Sequence, residues 1–155
     1  MTKIPTAVCV VAIALIDAQG RVLLQKRRAG GRHGGLWEFP GGKVERKETP
    51  ESALVREIAE ELGIVVAPAN LYADGEVAEE SAPRSDRPPL VLKLYRCSRW
   101  CGEPCCLDAE EIGWFTPAEA AVLAVPPLDR PFIVRLPAIL SVARRASRLG
   151  DCQAR

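Results

Sequence analysis

The sequence predicts an α+β domain, in which helices cover a mixed β-sheet. Two observations carry that expectation. Runs rich in β-branched residues alternate with helical periodicity, yet without the regular strand–helix–strand repeat of a parallel sheet. The 155 residues, 48% of them apolar, suit one domain with a single core. We take residues 1–150 as that domain and 151–155 as a short tail. Lys and Arg total 21 against 20 Asp and Glu, a net charge of +1. So even a balance excludes a protein that coats nucleic acid, and no apolar run approaches the 18–20 residues of a membrane span. Sixteen of the cations are Arg and five are Lys. Guanidinium suits bidentate phosphate and carboxylate contacts, so recognition of one small phosphate ligand stays open.

The elements follow in chain order. Lys3 and the apolar run after it could pass for a signal-peptide core, but Val8, Val10, Val11 and Ile16 favour a strand. Asp17-Ala18-Gln19-Gly20 reads as a turn into a second strand near residues 21–26, making residues 1–28 a β-hairpin. Residues 29–42 form a Gly-rich loop around Leu36-Trp37-Glu38-Phe39-Pro40. A helix spans about 50–62, strands lie near 69–79 and 89–99, and the polar loop 79–89 between them is the best candidate for mobility. A short strand over 111–115 runs into Thr116-Pro117, a cap followed by Pro at the first helical position. The region from Arg130 to Leu149 is helical in pattern, with Pro137 expected to kink or break it. Six Cys include Cys97, Cys101, Cys105 and Cys106, but no CxxC pair or nearby His supports zinc; reduced thiols in a cytoplasmic protein are expected.

The informative stretch is residues 38–64. Thr49 can N-cap its helix, Pro50 takes the first helical position, Glu51 complements the positive end, and Gly63 supplies the left-handed stop. Leu54, Ile58 and Leu62, with Val55 beside them, form the face that packs on a sheet. Glu57, Glu60 and Glu61 fall at i, i+3 and i+4 on another face. Three carboxylates so crowded repel one another. They are either a solvated face neutralised by Arg56, or ligands for a hard cation such as Mg²⁺, which takes carboxylate oxygens together with water and phosphate. Gly41-Gly42 just before the helix favours the second reading, because it lets the backbone approach a ligand closely.

This stretch resembles the Nudix box, G-x5-E-x7-R-E-U-x-E-E-x-G-U, where U is a bulky aliphatic. Gly42, Glu48, Arg56, Glu57, Ile58, Glu60, Glu61, Gly63 and Ile64 fill all nine specified positions. Leu36 to Lys43 before the box, Glu111 to Phe115 after it and Pro126 to Pro131 near the end resemble the MutT-type branch, over about residues 5–136. The resemblance implies the Nudix α/β/α sandwich, with the box as a loop–helix–loop. It also implies Mg²⁺- or Mn²⁺-dependent attack of water on the diphosphate linkage of a nucleoside triphosphate, with 8-oxo-dGTP the leading substrate.

By the same resemblance Glu57, Glu60 and Glu61 are metal ligands, one of them (Glu57 is the choice) also serving as base, and the Gly41 carbonyl joins them. Glu48 and Arg56 orient those acids. Glu111, or alternatively Glu110, matches a further acid outside the box, although Gly113 stands where some members carry it. Arg27 matches a phosphate-contacting Arg; otherwise it is an exposed strand-end cation. Arg32, His33, Glu38, Phe39, Pro40, Gly41, Gly42 and Lys43 line the expected substrate path. Asp129 stands where MutT-type enzymes commonly use Asn to read the base. Ionised Asp offers acceptors only, which keeps a CTP or 5-methyl-dCTP activity as the alternative; Asp129 is also the expected N-cap of the last helix. Lys47 replaces the family's usual Gly before Glu48. A non-catalytic nucleotide-binding module is the reading from another class. No nucleic-acid or membrane partner is expected, and the chain is read as a monomer or homodimer.

Overall fold

A computed structural model describes residues 6–80 and 87–152, with side chains described as far as residue 146. Seven strands and three α-helices follow one another as β1 (Val8–Leu15), β2 (Val22–Lys26), β3 (Trp37–Glu38), β4 (Gly41–Lys43), α1 (Pro50–Leu62), β5 (Tyr72–Ala78), β6 (Leu90–Cys97), β7 (Glu111–Phe115), α2 (Pro117–Ala121) and α3 (Arg130–Cys152). A single 3-10 turn, Pro68–Asn70, precedes β5. The strands form two sheets, ordered β4-β1-β6-β5 and β3-β2-β7. The first is mixed: β1 runs parallel to β6 through eight residue pairs and antiparallel to β4.

One expectation is corrected here. β1 and β2 are joined by the expected turn, in which Asp17 accepts from the backbone of Gln19 and Arg21, but they are not a β-hairpin. After one bridge, Ile16 to Val22, they part into different sheets. The physical reason is that β1 is apolar on both faces. Val11, Ile13 and Leu15 pack with Ala53, Leu54, Ile58 and Leu62 of α1. Ala12, Ala14 and Ile16 pack with Phe132, Ile133, Leu136 and Ile139 of α3. A strand buried on both faces belongs at the centre of a sheet, and there parallel β6 outcompetes the sequence neighbour. The α/β/α layering follows. Truncating Leu54, fully buried, to Ala would cost about 2–5 kcal/mol.

The helix carrying the acids is fixed at both ends. The Thr49 hydroxyl accepts from the Ser52 N–H while Ser52 accepts from the Thr49 N–H. Gly63 closes the helix at φ 67°, donating to the Ala59 carbonyl. At Thr116 the same reciprocal cap involves Glu119. Pro137 lies inside α3, which continues through it to Cys152, so the expected break does not occur. Buried Phe132, Ile133, Leu136, Ile139 and Leu140 on both sides of Pro137 hold the helix against the sheet despite the one missing N–H. Part of the 79–89 loop lies outside the described residues. No helix among the described residues is long and apolar enough to cross a membrane.

Candidate active site

The loop entering α1 sets the site, because it brings backbone and carboxylates into contact. Val11, at the centre of β1, pairs with Gly42, and Ala12 pairs with Gly41. A Cβ on Gly41 would strike the Val11 carbonyl, and one on Gly42 would strike the Glu57 carboxylate. Gly41 is therefore demanded by close backbone approach, whereas a Cβ at Gly42 would push the Glu57 carboxylate out of its place. Pro40, buried, ties the loop to the same strand by accepting from the Ile13 N–H at 2.9 Å.

Arg56 organises the acids. Its guanidinium grips both oxygens of Glu48 at 2.8 Å and Oε1 of Glu57 at 3.0 Å, and also donates to the Lys43 carbonyl. Hydrogen bonding to Arg56 holds the Glu48 carboxyl at about 2. Glu60 lies 3.5 Å from Arg56 on the exposed side. The expectation that Glu57, Glu60 and Glu61 crowd one face is thus resolved unevenly: Arg56 offsets Glu57 and Glu60, whereas Glu61 turns inward. Oε2 of Glu61 accepts from the Gly41 N–H and from Nε2 of Gln25, each at 3.1 Å. Burial pushes its carboxyl up to about 8 against those two donors, with the Glu57 and Glu38 charges adding to the rise. Burial likewise raises Glu57 in spite of Arg56.

A cavity of about 1180 Å³ opens beside these groups. Glu57, Glu61, Gly41, Gly42 and Lys43 line it, together with Arg27, Arg32, His33, Glu38, Phe39 and Asp129. Arg27 pairs with Glu38 at 3.1 Å. Arg32 reaches Glu79 at 3.3 Å, and Arg87 reaches the same Glu79 oxygen at 2.7 Å. Desolvation and then Arg32 and Arg27 lower the pKa of His33, so its imidazole is neutral at pH 7. Asp129 is 6% exposed; its Oδ1 accepts from the Phe39 N–H at 3.1 Å. Burial pushes its carboxyl up to about 7. The Asp129 carbonyl accepts the first helical bond, from Ile133, while its side chain accepts from the buried Phe39 N–H instead of from the first turn of α3.

Glu60, Glu110 and Glu111 are not brought to the cavity. Glu111 is exposed, paired in register with Lys26, on the face of β7 opposite to Ile112. The Glu110 backbone binds Lys26. Cys97 is buried and Cys101, Cys105 and Cys106 are exposed; all four are free thiols. Gln25, Glu79 and Arg87 were missed. Gln25 had a signal, a lone amide within Val22-Leu23-Leu24-Gln25-Lys26; Glu79 and Arg87 had none beyond their place in a charged loop.

Among the described residues no three His, Cys, Asp or Glu side chains enclose a metal position. The donor chemistry nevertheless fits a hard cation. Glu57 and Glu61 are two partly desolvated carboxylates whose charges oppose each other at one cavity wall, and a divalent ion would keep both ionised.

The NUDIX domain family matches residues 5–136. This chain belongs to that family. Within the Nudix family it is 33% identical to the CTP pyrophosphohydrolase of Escherichia coli over 91% of this chain and 96% of that protein. It is 34% identical to the 8-oxo-dGTP diphosphatase of the same organism over 81% of this chain and 94% of that one. The crystal structure of a MutT NUDIX hydrolase from Burkholderia pseudomallei superposes with a TM-score of 0.71 at 28% identity, covering 83% of this chain and 96% of that chain. The protein is a Nudix hydrolase of the MutT-type branch, acting on phosphoric anhydrides, and Nudix hydrolases generally use divalent metals.

Proposed function

We propose that the chain hydrolyses a (deoxy)nucleoside triphosphate to the monophosphate and pyrophosphate, with 8-oxo-dGTP as leading substrate and Mg²⁺ or Mn²⁺ as cofactor. One observation carries this reading: the Glu57 and Glu61 carboxylates and the Asp129–Phe39 pair line the same cavity, which has room for a whole nucleotide. Removal of oxidised nucleotides from the cytoplasmic pool, in support of DNA repair, is the corresponding cellular role.

Glu57, Glu61 and the Gly41 carbonyl are the groups that would hold the cation. The exposed Glu60 would join only by leaving Arg56. The cation, when bound, neutralises phosphate charge and lowers the pKa of a water. Arg27, Arg32 and Lys43 bind phosphate oxygens, while neutral His33 donates one hydrogen bond. Glu57 spends Oε1 on Arg56, leaving Oε2 to take the proton of the attacking water. The water oxygen then bonds to phosphorus, and the anhydride P–O bond breaks to release pyrophosphate. Arg56 and Glu48 hold Glu57 in place for that transfer.

At the base end, Asp129 removes part of its apparent conflict with the Asn of related enzymes. With its carboxyl at about 7, the neutral form carries one donor and one acceptor, as an Asn amide does. The ionised form offers acceptors alone and suits the cytosine amine, which keeps CTP as the second reading, supported by the similarity to the CTP enzyme. Replacing Glu57 with Gln and assaying Mg²⁺-dependent pyrophosphate release tests the site; undiminished release would sink it. A kcat/KM panel of 8-oxo-dGTP, dGTP, CTP and 5-methyl-dCTP tests the base, and a preference for CTP would refute the leading choice. No turnover of any triphosphate would favour a binding module.

A further inference from the structure

Gln25 and Asp129 are the two polar side chains buried in the core among the described residues. Asp129 faces the cavity, whereas Gln25 is 5% exposed in a strand whose preceding residues, Val22, Leu23 and Leu24, are fully buried and apolar. Its Nε2 donates to Glu61 at 3.1 Å, and its Oε1 is buried without a partner. It stands directly opposite Glu38 in the β2–β3 register, so one amide lies between two carboxylates from different elements. An acceptor buried without a donor costs about 1–3 kcal/mol, so what keeps an amide here is its Nε2, which serves the carboxylates beside it. Methionine would fill the same space without that cost.

We propose that Gln25 is a positioning residue for the cation site. Resting on the reading of Glu61 as a metal ligand, the inference is that Nε2 of Gln25, together with the Gly41 N–H, fixes one Glu61 oxygen and presents the other to the metal. It also stands between Glu61 and Glu38, donating to the first and opposite the second in the strand register. Groups that orient metal ligands in this way typically change affinity 10–100-fold when removed.

The test compares Gln25→Met, Gln25→Asn and Glu61→Gln with the parent enzyme in Mn²⁺ binding, by electron paramagnetic resonance or calorimetry without nucleotide, and in metal-free Tm. Gln25→Met is expected to weaken Mn²⁺ at least tenfold; in Tm, removal of the orphaned Oε1 acceptor is offset by loss of the Nε2 donor to Glu61, so the metal affinity is the deciding readout. Gln25→Asn keeps an amide but withdraws it from Glu61, and should also weaken the metal. A purely structural Gln25 gives the reverse, a lowered Tm with parental Mn²⁺ affinity, and that result overturns the proposal. If Glu61→Gln leaves Mn²⁺ binding unchanged, the reading of Glu61 itself has failed. If Glu61→Gln weakens binding and neither Gln25 variant does, only the role of Gln25 has failed.

Discussion

The Phe39 N–H donates to Oδ1 of Asp129 at 3.1 Å, joining the loop ahead of the Nudix box to the start of α3 through one buried contact. The bond leaves Oδ2 of Asp129 as the atom available to a ligand. It also makes the position demanding, since any replacement must still accept from Phe39.

Asp129→Asn keeps an acceptor for Phe39 and removes the titration. The Asp129 carboxyl sits at about 7 in the fold against an ordinary 3.8, so the native state binds the extra proton between those values. Its stabilising contribution is complete below about pH 4 and is lost as pH rises through 7. Thermal unfolding across pH 4–8 should therefore show a flatter profile for Asp129→Asn than for the parent. Asp129→Ala strands the Phe39 N–H and should cost about 1–3 kcal/mol relative to Asp129→Asn at every pH. Parallel profiles for Asn and parent would show that Asp129 does not titrate in this window.

Arg56 touches Glu48, Glu57 and the Lys43 carbonyl with one planar fork. Lysine carries the charge without the fork, so Arg56→Lys should act as a loss of geometry. We expect kcat to fall by about 10–100-fold and the half-saturating Mg²⁺ concentration to rise, with a smaller change in nucleotide KM. Steady-state titrations of metal and nucleotide separate these terms. A variant changed only in KM would place Arg56 at the phosphates instead.

Chelation should expose the strain at Glu61. Its carboxyl lies at about 8 against an ordinary 4.5, so metal-free protein loses stability as pH climbs from about 4.5 through 8. Saturating Mg²⁺ should remove most of that slope, because the ion takes the place of the proton. Melting curves with EDTA and with Mg²⁺ at pH 5, 7 and 8.5 give the comparison. Equal slopes in both would mean that the cation does not engage Glu61.

Local chemistry made α1 legible, since Thr49, Pro50 and Gly63 mark its ends and Leu54, Ile58 and Leu62 its buried face. The acids were legible as a group, but their separate fates were not. Spacing places Glu57, Glu60 and Glu61 on one side, while only the packed loop decides that Glu61 meets Gly41 and Gln25 and that Glu60 stays with Arg56. The supposed hairpin failed for a similar reason: the turn at Asp17 is local, whereas the parallel partner of β1 lies some 80 residues further on. For Glu111 the strand alternation set by pairing with Lys26 decides the face, opposite to that of Ile112 and Gln25, and spacing alone does not show this.

Lys47 holds φ at 73°, the left-handed region that a side chain disfavours. It is the third residue of a turn in which the Glu48 N–H donates to the Glu45 carbonyl at 3.1 Å, a position where positive φ selects for Gly. Lys47→Gly should relieve that conformation and raise stability by about 0.5–1 kcal/mol, the relief being partly offset by a freer unfolded chain. Lys47 lines no part of the cavity, and the Glu48–Arg56 contacts do not involve it. Activity should therefore stay within about twofold of the parent, a ΔΔG‡ of about 0.4 kcal/mol. Denaturant unfolding and kcat measured on the same preparation check both parts. A lowered midpoint would mean that Lys47 makes a compensating contact, and a large loss of kcat would mean that turn stiffness helps hold Glu48 against Arg56.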